Sequence, residues 1–219
     1  MRSTLVLLLL ALLLPSAAVA AVPTIACHCF QDRSFDPARP AAVDPYLLAT
    51  GRNTLYAVVF GIKKGEVVKT LMGGGSAEEL WALQFLAAGS DQTADELSAH
   101  RTKGASWASL LRGADPEKLS AAFVAAALRG AATDTLASAA VDAILIRRLA
   151  ISPESVATLR LSGAGDRETI LAILLATRRG EEPLALLQKV RQGRSWGSLL
   201  AESGLEAKQI GEEIRRQLR

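Results

Sequence analysis

The chain predicts an all-α fold built by tandem duplication, and three observations carry that reading. Residues 54–115 and 143–204 are one segment written twice, offset by 89 residues without a gap. Ile62 falls on Ile151, Val67 on Val156, Gly74 on Gly163, Glu79 on Glu168, Leu86 on Leu175 and Leu97 on Leu186. The chain is 50% hydrophobic but only 5% aromatic. That bias toward Ala and Leu suits closely packed helices rather than a β-sandwich. Helix start and stop signals also recur at short intervals from residue 44 onward. A fixed period of this kind marks stacked structural units. The expected architecture is a five- to six-helix unit, repeated, with short helices meeting at orthogonal, helix-turn-helix-like corners.

Residues 1–20 read as a signal peptide: Arg2, an apolar run from Leu5 to Leu14, then Ala18-Val19-Ala20 as a small-x-small cleavage site. The apolar run is too short to cross about 30 Å of hydrocarbon. The expected mature chain begins at Ala21, is soluble, and resides in a periplasm or outside the cell. A lipoprotein alternative would cleave before Cys27. Residues 21–44, with Pro23, Pro37 and Pro40, read as an extended N-terminal arm. Helical unit 1 is expected over 45–130 and unit 2 over 131–219.

Within the units, Asp44-Pro45, Asp115-Pro116 and Ser152-Pro153 each place a capping side chain before a proline at the first helical position. Ser76/Glu79 and Thr93/Glu96 have capping-box spacing. Gly89, Gly104, Gly130, Gly163, Gly180 and Gly193 stand where helices should stop. These signals predict helices near 45–61, 64–72, 76–88, 93–103, 106–113 and 116–129. They recur near 133–150, 153–161, 166–178, 182–192, 195–203 and 205–218. The last helix should present Ile210, Ile214 and Leu218 inward and a charged face outward.

The densest match between the copies is a Gly-x-Ser-Trp element: Gly104, Ser106 and Trp107 in one, Gly193, Ser195 and Trp196 in the other. Glycine accepts the left-handed conformation that closes a helix, serine caps the next, and tryptophan fills the corner between them. Residues 191–205 also have the spacing of a DNA-reading helix-turn-helix. The following helix, Glu206 to Arg219, is no more basic than acidic through its first two turns, the formal net charge is only +3, and the chain carries an export signal. No nucleic-acid partner is expected.

Cys27, His28 and Cys29 are the one local cluster with chemical potential. Two thiols one residue apart in an oxidising compartment form a strained disulfide or bridge to other chains. The alternative is a Zn or Cu site using both thiolates and the imidazole. Loss of bound metal in a Cys27→Ala, Cys29→Ala variant would separate the two. His100 reads as a solvated residue on a polar helix face. Glu79 and Glu168 occupy equivalent first-turn positions and are explained by capping rather than by a catalytic carboxylate pair. The run Met72 to Ser76 lacks the lysine of a phosphate loop and reads as a linker. No catalytic residue is expected.

The arm Cys-His-Cys-Phe-x-x-Arg-x-Phe-Asp-Pro, Cys27 to Pro37, followed by repeated Gly-x-Ser-Trp units, resembles a group of exported bacterial helical-repeat proteins without an established activity. The resemblance implies export and carries over no reaction. The expectation from the sequence is a non-enzymatic protein that binds or scaffolds in the cell envelope, with another envelope protein as partner and no cofactor. The second reading is a small metal-binding or thiol-redox protein acting through Cys27, His28 and Cys29.

Overall fold

The structure is a computed structural model that describes residues 30–218. Among these residues it contains twelve α-helices and no strand, only an isolated bridge between Ser90 and Ala114. The first six are α1 (Asp44–Val59), α2 (Lys64–Met72), α3 (Ala77–Ala87), α4 (Ala94–Thr102), α5 (Trp107–Leu110) and α6 (Ala121–Leu128). The second six are α7 (Thr133–Arg148), α8 (Pro153–Leu161), α9 (Asp166–Arg179), α10 (Pro183–Arg191), α11 (Trp196–Glu202) and α12 (Ile210–Gln217). Every helix of the second set starts 89 residues after its counterpart. Only α9 and α11 run past the matching end. The starts coincide although a side-chain cap is shared only by Ser106 and Ser195, so the common register is carried mainly by the repeated apolar positions and glycine stops.

Side-chain caps mark half of the starts. Ser76, Ser106, Ser120, Ser152 and Ser195 each accept a hydrogen bond from the backbone N–H three residues on. Thr93 and Glu96 close a full capping box. Removing that hydroxyl in Thr93→Ala is expected to cost about 1 kcal/mol, read as a lower denaturant midpoint at unchanged slope.

Three sequence expectations are corrected. Asp44 is the first residue of α1 and does not cap it. Its carboxylate accepts from the backbone N–H groups of Trp196 (3.0 Å) and Gly197 (2.8 Å), so it caps α11 instead. The helix expected from residue 116 begins at Ala121, because residues 115–119 are held elsewhere. Asp115 N–H donates to Gly89 O at 2.7 Å, the Asp115 side chain accepts from Glu117 N–H, and Leu119 is buried against Gly89. The last helix likewise begins at Ile210 after a short 3-10 turn over Ala207–Gln209. Its outward face is not uniformly solvated, since Glu213 is buried among Arg216, Gln217 and Arg178.

Packing and sequence repeat partition the chain differently. The long helix that opens each unit packs on the third and sixth helices of the other: α7 on α3 and α6, and α1 on α9 and α12. The N-terminal helix therefore closes the C-terminal half, and the buried apolar side chains form a single cluster. Within that cluster α1 is buried over residues 49–57, although it carries Thr50, Arg52, Asn53 and Thr54.

The arm is not extended in its described part. Successive turns between Asp36 and Asp44 fold it, Arg39 pairs with Asp32 and Asp36, and Phe30 meets Tyr46 edge-on at 5.9 Å. It lies against Gly197 at the start of α11.

Candidate functional site

The Gly-x-Ser-Trp element is built as a corner in both copies. Gly104 and Gly193 take φ of +90° and +98°, values that side chains other than glycine rarely adopt. Trp107 and Trp196 are buried. The Trp107 indole N–H donates to Thr133 Oγ1 at 3.3 Å, and the Arg101 guanidinium sits 4.5 Å from its ring centre. Thr133 and Asp44 are equivalent residues, so each corner is tied to the first turn of the opposite unit's long helix. These tryptophans are buried where the units join.

The other sequence candidates are dispersed. His100 is exposed. Glu168 accepts from Gly165 N–H and pairs with Arg191, a capping and surface role. Cys27, His28 and Cys29 lie outside the described residues. Among the described residues no group of three or more His, Cys, Asp or Glu side chains could hold a metal ion. No helix among them is long and apolar enough to cross a membrane.

The site that sequence reasoning missed is a groove in unit 1, between α2, α3 and α4. It has a volume of about 670 Å³, within the range of small-ligand and peptide clefts. Ile62, Val67, Leu80, Leu83, Ala87 and Ala88 make it mostly apolar. Its polar groups are Tyr56, Glu66, Thr70, Gln84, Gln92, Thr93, Asp95 and Ser98. Tyr56 lies at the base of the groove. Its hydroxyl points to Leu80 O at 3.4 Å, and its ring packs edge-on against Phe60 and Trp81. Burial, with Asp95 nearby, pushes the Tyr56 phenol well above its ordinary range, so it stays protonated.

The duplication supplies an internal comparison. In unit 2, α8 and α10 pack directly on one another, whereas α2 and α4 make no contact of comparable extent. The reason lies in three positions. Thr70, Gln84 and Ser98 in unit 1 correspond to Leu159, Ile173 and Leu187 in unit 2, and all three of those are buried. Apolar side chains of that size fill the gap between the helices. Threonine, glutamine and serine leave it open to water. One polar-for-apolar difference on each of three helices thus separates a closed core from an open groove. The signal was present in the sequence as the unmatched columns of the repeat, while the matched columns report only the fold.

Comparison with protein-family profiles, with curated proteins and with solved structures returned no match.

Proposed function

We propose that this chain is an exported, non-enzymatic binding protein of the cell envelope, and that the groove between α2, α3 and α4 holds its protein partner. The observation that carries this reading is the broken symmetry: one scaffold, used twice, is packed shut in unit 2 and kept open in unit 1. A core with unfilled apolar walls is less stable than a filled one, so the open copy is retained at a cost that stability alone does not explain. Among the described residues lining the groove there is no nucleophile–base pair. Its hydroxyls and amides are spread along the rim, the arrangement of a surface that orients a bound chain.

The test copies unit 2 into unit 1. A Thr70→Leu, Gln84→Ile, Ser98→Leu variant is expected to close the groove and to gain about 2 kcal/mol from the added apolar burial, a rise of about 4–8 °C in Tm. An envelope fraction passed over the immobilised mature chain should leave a protein that the filled variant does not retain. Equal retention by the two chains would remove the groove from the function.

A further inference from the structure

We infer that the groove takes a segment of a partner protein that presents lysine or arginine beside apolar side chains, an inference that rests on the binding role proposed above. Among the described residues, the only ionisable groups lining the groove other than Tyr56 are two carboxylates, Glu66 and Asp95. This holds in a chain where Lys and Arg outnumber Asp and Glu by 25 to 22. Both carboxylates are exposed, and neither forms an ion pair among the described residues.

Each stands in the first turn of its helix, where a carboxylate favours the helix dipole. The repeat shows that the fold does not need them there. The equivalent residues, Ser155 in α8 and Leu184 in α10, are uncharged, and those helices begin at the matching positions; α8 keeps a first-turn acid one residue earlier, at Glu154, and α10 has none. The acids therefore belong to the open copy, together with the three polar residues that keep it open.

An incoming lysine or arginine has a shape that fits both parts of the groove. Its aliphatic stem covers the accessible apolar lining, Ile62, Leu80 and Ala88, while its charged head stays at the wet rim with Glu66 and Asp95. Neighbouring leucine-sized side chains of the same segment would occupy the remaining floor. The uniform negative sign also disfavours acidic segments, which gives selectivity by repulsion as well as attraction.

The experiment is fluorescence anisotropy on the mature full-length chain, with a labelled synthetic peptide in which lysines alternate with leucines. A second peptide carries glutamate in place of each lysine. The lysine peptide should bind in a salt-sensitive manner and the glutamate peptide at least tenfold more weakly. Glu66→Gln, Asp95→Asn, nearly isosteric and exposed, should melt within a few degrees of the wild type, the loss set by the two helix dipoles, and weaken the lysine peptide about tenfold. Equal affinity of the wild type and this double variant, or equal binding of the two peptides, would overturn the proposal. Spermidine bound where the lysine peptide is not would overturn the assignment of a polypeptide. These failures are distinct from failure of the binding role itself. If the filled variant loses its envelope partner while the lysine peptide never binds, the groove stands and the basic occupant falls.

Discussion

Gly197→Ala should destabilise the protein by about 1–3 kcal/mol and release the N-terminal arm, a large effect for a single added methyl group. A Cβ at position 197 would lie 2.5 Å from Val43 Cγ1, 2.6 Å from Pro40 O and 3.1 Å from Phe35 Cδ2. Val43 is wholly buried and Pro40 O is backbone, so neither can step aside cheaply. The same segment ends in Asp44, whose carboxylate caps α11 through Trp196 and Gly197. Moving the arm therefore also loosens the junction by which α1 closes the C-terminal half. The measurement is a thermal melt paired with brief trypsin digestion. A fall of about 2–12 °C is expected, with cleavage after Arg33 and Arg39 appearing before the helical body is cut. A variant that melts lower with an unchanged cleavage pattern would place the strain inside α11 rather than at the arm. The equivalent residue, Ala108, already carries the Cβ. Glycine at 197 is thus tied to the arm that only this copy receives.

What could be read from the sequence follows a physical boundary. Caps, glycine stops and corner tryptophans act through residues within one turn of each other, so the all-α class and most helix starts were legible, while those at Ala121 and Ile210, set by the contacts of the preceding turn, were not. The exchange of long helices was not. Ser152 caps its own helix and Asp44 caps one more than 150 residues away, yet both stand in the same hydroxyl-or-carboxylate-before-proline pattern. Only the packing of α1 against α9 and α12 distinguishes them. The groove was missed for a related reason. Thr70, Gln84 and Ser98 are unremarkable alone, each a single polar residue on a short helix. They become informative only beside Leu159, Ile173 and Leu187, and only once α2, α3 and α4 are known to meet.

The same comparison between copies applies to the buried half of α1. Arg52 corresponds to Val141, and Glu78 to Arg167. Where α7 is apolar, α1 carries a guanidinium that is 4% exposed, bonded to Glu78 Oε1 at 2.9 Å. Burial and the neighbouring Arg52 charge both work against the Arg167 guanidinium, while Glu78 and Asp166 favour it. Glu78 therefore offsets two cations that the fold brings together where the units meet.

Glu78→Ala should accordingly be among the most damaging single changes, at about 2–4 kcal/mol. Loss of one partner leaves Arg52 charged and unable to reach bulk water. The lower end of that range reflects Glu78 itself, whose side chain is 40% exposed and partly screened. Replacing both residues, Arg52→Met with Glu78→Leu, removes the charge together with its partner and should recover much of the loss, so the double-mutant cycle should show strong coupling. The pH dependence gives an independent check. Burial alone would raise the Glu78 carboxyl, but the Arg52 charge and the hydrogen bonds from Arg52 and Ser76 carry it below the ordinary value of 4.5. A carboxyl held down in the native state contributes stability above its unfolded pKa and loses it as pH falls through the native one. In urea midpoints measured from neutral pH downward, the wild type should lose stability below about pH 4.5, and Glu78→Gln should lose less over the same interval. If the acid limbs of the two chains run parallel, Glu78 does not provide that electrostatic contribution.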